Sequence, residues 1–262
     1  MLHALYTASS GMQAQQMNID TIAHNLANVN TTGFKKARLD FQDLIYINIK
    51  QPTVTAQYQT TPVGLSVGLG VRSAATQTLF SEGNLVPTGN PFDLAITGNA
   101  FFKVEVPGRD EPLYTKDGSF KIDSEGNLVT TDGYKLVGVE ALEPEATDIS
   151  ISTDGSVTYK LPGQNDRIEA GRIELAKFIN PAGLEKLGRN LYAATAASGE
   201  AIDWDPESDS SITIEQGYLE SSNVQVVEEM INMITAQRAY EINSKVIQAS
   251  DEMLGMANNL RR

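Results

Sequence analysis

The first 34 residues hold a single formally charged side chain, Asp20, yet they repeat apolar residues every seven positions. Leu5, Met12, Ile19 and Leu26 fall at one position of the repeat, and Met1, Ala8, Ile22 and Val29 at the other, with Gln15 as the one polar break. Four such heptads predict a helix of roughly 28 residues, about 42 Å at 1.5 Å per residue. Asn30-Thr31-Thr32-Gly33 ends it, because Gly33 takes a left-handed conformation easily and the polar side chains compete for the last backbone groups. A solvated helix face is ordinarily charged, whereas this one is built of Ser, Gln, Asn and Thr. Loss of charge with hydrogen-bonding capacity retained is the composition of an interface core, so burial on more than one side is expected.

The carboxyl end has the same character. Ser222 and Gln225 fit a capping box, which starts a helix expected to run to about Asn259. Val226, Met233, Tyr240, Ile247 and Leu254 recur every seven residues, while Ala239, Ile242, Val246, Ala249, Met253, Met256 and Leu260 follow a separate 3-4 spacing. Two stripes require two neighbours. Glu241 and Lys245, four apart in the favourable order, add only about 0.3 kcal/mol at the surface.

From about residue 90 to 194 the period changes to two. Leu94 and Ile96, then Phe102, Val104 and Val106, then Phe120 and Ile122, alternate with polar residues, and Val157, Tyr159 and Leu161 resume the pattern. Asp117-Gly118, Gly126-Asn127, Asp132-Gly133 and Asp154-Gly155 are turn dipeptides that supply positive φ. Residues 35 to 90 open with Lys35, Lys36 and Arg38 and continue through a Thr- and Gln-rich stretch between Pro52 and Pro62, which reads as extended chain with little core of its own. The fold class is therefore α+β, mainly β: an all-β centre with long amino- and carboxyl-terminal helices forming a coiled coil. Residues 1–34 with 222–262 make the helical core, 35–90 with 195–221 the connecting region, and 91–194 the β-rich outer domain.

The 262 residues, 41% of them apolar, suffice for a real core, and a formal net charge of −13 opposes binding to nucleic acid or an anionic membrane. There is no cysteine, hence no disulfide or thiolate metal site. The amino terminus lacks the basic, apolar and small-residue succession of a cleavable secretory signal. The uncharged run from Gln51 to Val71 is too rich in Thr, Gln, Gly and Pro to span a bilayer. Catalytic candidates are few. The two histidines, His3 and His24, lie 21 residues apart on one helix and do not share a face as metal ligands do. Gly68-Leu69-Gly70 lacks the third glycine and following helix of a dinucleotide site, and Asp123 to Asn127 lacks the ligand order of a calcium loop. No catalytic, metal-binding or cofactor residue is assigned, and no small-molecule substrate is expected.

The run from Ile22 to Lys35, with Asn25, Leu26, Ala27, Asn28, Gly33 and Phe34 at its centre, closely resembles the amino-terminal signature of flagellar rod and hook axial proteins. Gly217 to Val224, Glu228 to Ile231, and Gln237 to Lys245, including Gln237, Arg238, Ala239 and Tyr240, are similar to the family's other end. Asp93 to Gly98 with Phe101-Phe102, and Tyr114 to Phe120, resemble its β region, so nearly the whole chain is covered. His24 stands where many members carry Asn. The length near 260 residues and the polar segment Tyr46 to Val63 resemble distal rod members more than the longer hook proteins, with a proximal rod subunit of similar size as the nearest alternative. The resemblance implies a helical, tubular polymer of the basal body that spans the periplasm and transmits torque. Its partners are further copies of itself, proximal rod proteins, the hook protein, the outer-ring bushing proteins and the flagellar export apparatus that passes it without a cleaved signal. Self-assembly then falls to Leu5, Met12, Ile19, Ile22, Leu26 and Val29 at one end, and to Val226, Met230, Met233, Tyr240, Ile242, Val246, Ile247 and Leu254 at the other. The segment Tyr46 to Val63 is expected to bridge neighbouring subunits, and both ends to order on incorporation.

The competing class is a binding module, a secreted β-rich adhesin or phage-tail-like protein with a coiled-coil stalk. It predicts a closed trimer, whereas a rod subunit predicts open helical growth that needs both chain ends.

Overall fold

The computed structural model describes residues 2–50, 64–109, 111–163 and 166–259. The chain forms two compact units. One contains residues 1–27, 37–77 and 225–262, and the other residues 28–36 and 78–224. The connecting region expected over 35–90 and 195–221 is thus divided between them, and the signature segment from Asn28 to Lys36 belongs with the β-rich part.

The first unit is built on two long helices, α1 (Leu2–Ala27) and α2 (Val226–Asn259), packed along each other. Gly11 sits against α2: a Cβ there lies 2.9 Å from the Asn243 amide nitrogen. The expected capping box is absent. The Ser222 hydroxyl accepts from the Val224 N–H at 3.3 Å, and α2 starts only at Val226. Strand Ala37–Asp43 pairs with Val71–Thr78, and Tyr46–Lys50 pairs antiparallel with Leu65–Gly68. Gly68 to Ser73 therefore spans a strand end and the next strand, with no helix to receive a phosphate. Of the segment expected to bridge subunits, residues 51–63 lie outside the described residues, as do Met1 and Leu260.

The second unit is centred on a nine-stranded sheet. Along it run Glu185–Gly188, Leu191–Ala193, Leu113–Thr115, Phe101–Glu105, Lys135–Leu136, Leu128–Val129 and Lys121–Ile122, with Leu175–Lys177 and Ile202–Asp203 branching from Phe101–Glu105. Its named pairings are antiparallel. A separate three-stranded sheet joins Thr147–Ile151, Ser156–Lys160 and Ile168–Arg172. Alternation along Phe101–Glu105 sends successive side chains to opposite faces, and both faces are covered. Phe102 enters the main core with Leu94, Ile96, Phe120, Val157 and Ile214. Phe101 enters a second core of Tyr114, Phe178, Leu184 and Tyr192, where edge-to-face ring pairs stand 4.8 to 5.9 Å apart. The period-two pattern led to the residues of the first core. It missed Ala95, Phe101 and Lys103, which are buried as well, because a strand packed on both sides need not alternate. Gly126, Gly133 and Gly155 take the positive φ expected of their turns. Gly118 does not, and instead lets the Leu94 carbonyl approach to within 1.6 Å of where a Cβ would stand.

Candidate functional site

In the helical unit, Ala8, Ala14, Ile22 and Asn25 of α1 are buried, and Leu5, Met12, Ile19 and Leu26 are half-buried. On α2 the inward line consists of Glu229, Ala236, Asn243 and Ser250, seven residues apart, beside half-buried Met233, Ile247 and Leu254. Tyr240, in register with those three, is 38% exposed. Most of the second stripe faces outward: Ile242 is 61% and Met256 60% exposed, with Val246 and Met253 exposed beside them; Val226, the first residue of the other stripe, and Met230 are exposed too. Val227, Ile231 and Ile234 widen this apolar face. The residues expected to mediate assembly therefore fall into an inward set, which the helix pair uses, and an outward set without cover in the single chain. Gln237 and Arg238 are exposed and Ala239 is half-buried.

Asn25 is 2% exposed, and its amide acts like a neighbouring strand. Its Nδ2 donates to the Ala37 carbonyl at 2.8 Å while its Oδ1 accepts from the Ala37 N–H at 2.9 Å. The same Nδ2 donates to Glu229 Oε2 at 3.3 Å, so α1, α2 and the first residue of strand Ala37–Asp43 meet at one side chain. The sequence motif containing Asn25 gave no indication of that geometry.

In the β unit, the segments 28–36 and 217–224 meet around a buried carboxylate, Glu220, which is 3% exposed. Lys35, fully buried, donates through Nζ to Glu220 Oε1 and to the Ser81 carbonyl, the latter at 2.8 Å. The Gly83 N–H donates to the same Oε1 at 2.8 Å. Glu220 Oε2 has no hydrogen-bond partner among the described residues, and Lys116 Nζ lies 3.9 Å from it. Lys116 is 2% exposed, donates to the Gly98 carbonyl at 2.8 Å and lies 5.6 Å from the centre of the Phe101 ring. Burial pushes its amine down to about 8, with Lys35 adding to the depression and Glu220 and Glu82 opposing it. Burial, then the Glu220 charge, pushes the Tyr192 hydroxyl up to about 12.

Backbone and amide bonds continue the joint. The Gly33 N–H donates to the Glu220 carbonyl at 2.8 Å, and the Lys36 N–H to Asn223 Oδ1 at 2.8 Å. Asn223 Nδ2 reaches the Leu79 carbonyl at 2.8 Å, and the Leu79 N–H donates to the Lys36 carbonyl at 2.9 Å. The Thr32 hydroxyl donates to Asp117 Oδ1 at 2.9 Å, and Asn190 Nδ2 donates to Asp117 Oδ2 at 3.2 Å. Gly33 has φ +65°, and a Cβ on it would stand 2.7 Å from the Lys116 carbonyl carbon, so the motif demands glycine there for two reasons. In sequence Lys35 stands in a run of basic residues with Lys36 and Arg38, and its one distinguishing mark is that it, Lys116 and Glu220 lie in three different segments that carry the family resemblance.

The segments that meet in these sites are the ones whose sequence resembles flagellar axial proteins, and three family models match the chain. They are "Flagella basal body rod protein" over residues 5–35, "Flagellar hook protein FlgE/F/G D1 domain" over 95–159 and "Flagellar basal body rod FlgEFG protein C-terminal" over 215–260. Among curated proteins, the flagellar basal-body rod protein FlgG of Borreliella burgdorferi is 51% identical over all of both chains. That of Buchnera aphidicola subsp. Schizaphis graminum is 44% identical over 99% of this chain and 100% of its own, and that of Bacillus subtilis 36% over all of both. The chain belongs to the FlgG family of flagellar basal-body rod proteins. A solved Helicobacter pylori flagellar hook protein, FlgE2, aligns with 71% of this chain and 56% of its own at 15% identity and a TM-score of 0.25, too loose a likeness to carry any argument.

Proposed function

We propose that this chain is a structural subunit of the distal rod of the bacterial flagellar basal body, and that it turns over no substrate. Copies of it polymerise into a rigid helical tube that spans the periplasm, encloses the export channel and passes motor torque to the hook. The observation that carries this reading is the apolar outward face of α2 in a chain similar to rod proteins from end to end. In the tube, α1 and α2 form a coiled-coil inner layer, and Ile242, Val246 and Met253 are covered by helices of neighbouring copies. Proximal rod proteins, the hook protein and the outer-ring bushing adjoin the tube, and the subunit leaves the cell interior through the flagellar export apparatus.

The hairpin of Tyr46–Lys50 and Leu65–Gly68 supports a bridging role for the segment Tyr46 to Val63. Ile49 and Leu65 are 64% and 55% exposed on it, a costly arrangement unless a neighbour covers them. Electron microscopy of the purified, concentrated protein tests the whole reading. Straight tubes are expected, and they should vanish when Ile242→Glu and Val246→Glu are introduced together. A closed trimer in place of tubes would instead favour a stalked binding module.

A further inference from the structure

We infer that the segments 28–36 and 217–224 form a clasp that stays closed when the two terminal helices are apart, so that both chain ends leave the β unit from one bonded point. Each bond that defines the clasp has both partners inside that unit. Lys35 with Glu220, Gly33 with Glu220, Lys36 with Asn223 and Thr32 with Asp117 all join residues of 28–36 to residues of 78–224. None of these bonds depends on a residue of α1 or α2.

The chemistry holds the clasp at its Lys35 end. Opening there takes from the buried Glu220 carboxylate the Lys35 amine that donates to it, and leaves it only Lys116 Nζ, 3.9 Å from Oε2, as a cation in a buried site. A buried ion that loses a bonded partner is costly, so the Lys35 end stays closed while the sheet beneath it is folded. That sheet supplies the floor through Phe101 and Tyr192, both of the second core. The order of the chain ends is therefore set in two separate steps: the roots at residues 28–36 and 217–224 belong to the β unit, and only residues outside them follow the fate of the helices. This goes beyond the rod assignment and holds for an isolated chain, whatever it polymerises with.

Residue-by-residue amide exchange on the dilute full-length chain tests the clasp. Gly11→Pro combined with Asn243→Pro breaks both helices where Gly11 meets Asn243. Amides of α1 and α2 are then expected to exchange more than about tenfold faster, while those of Gly33, Lys36, Gly83 and Asn223 change less than about threefold. Acceleration of those four amides together with the helices would overturn the inference. Asn223→Ala supplies the opposite arm: the Lys36 amide is expected to exchange about tenfold faster while the amides of Phe101–Glu105 keep their protection. Unchanged exchange at Lys36 in that variant would overturn it as well, and neither result depends on whether the protein forms tubes.

Discussion

Replacing Lys116 by Met should remove a pH dependence that the buried cluster imposes on the whole β unit. In the folded chain the Lys116 amine is held at about 8, against 10.5 for an ordinary lysine, mainly by burial. Between those two values the unfolded chain binds one more proton than the folded chain, so stability rises with pH across the window and is flat below it. Each pH unit of depression is worth about 1.4 kcal/mol, which makes the full step about 3 kcal/mol. Tyr192 acts in the opposite sense. Its folded pKa of about 12 lies above the usual 10, so the stability it contributes is lost only above pH 10, and measurements should stop there. The methionine keeps the length of the buried stem and gives up the bond to the Gly98 carbonyl, a loss of about 1 kcal/mol that does not vary with pH. Urea unfolding of the full chain at half-unit steps from pH 7 to 10 should show the wild type gaining about 2.5 kcal/mol on the variant over that range, since the step is not complete until pH 10.5. Two curves running parallel would mean that Lys116 stays charged in the folded state and that the electrostatic reasoning about the Glu220 site is wrong.

Other substitutions probe the remaining contacts. Gly33→Ala forces an L-residue to φ +65° and drives a methyl into the Lys116 backbone, so a loss of about 2 kcal/mol or more is expected in chemical denaturation. Asn25→Ala strands the Ala37 N–H and carbonyl at an expected cost of about 2 kcal/mol. Asn25→Asp should be worse than alanine at pH 7, because a carboxylate then faces both Glu229 and the Ala37 carbonyl; the order of the two variants should narrow as the pH is lowered. The double exchange of Ile242 and Val246 to Glu should abolish tubes while leaving the unfolding free energy of the single chain within about 0.5 kcal/mol of wild type.

The heptads of the amino-terminal helix were readable because apolar spacing is a local property: Ala8 and Ile22 are buried where the register puts them. The start of α2 was not readable. Ser222 and Gln225 have the right spacing for a capping box, but the backbone around them is already committed elsewhere. Asn223 is bound to Lys36 and Leu79, and the Ser222 hydroxyl is taken by Val224. Long-range bonds of this kind leave no periodic trace. The same holds for Lys35, which in sequence is one of a run of basic residues with Lys36 and Arg38, although its amine meets a carboxylate 185 residues away. Asp117-Gly118 fits a hairpin turn by composition, yet the glycine is needed because the Leu94 backbone passes over it, a reason that only the assembled sheet supplies. Local pattern thus located the elements, and the junctions between them came from pairings distant in sequence.

The adjacent phenylalanines 101 and 102, turned into separate cores, constrain how this lineage can change. With both faces of the sheet filled, drift in sequence and length is confined to its outline. Gly108, Gly133 and Gly163 sit in turns where an added Cβ meets no atom within 4 Å. Insertions and deletions among descendants should accumulate at such tips. The outline of the β unit can then be refitted, loop by loop, without disturbing the board that carries it.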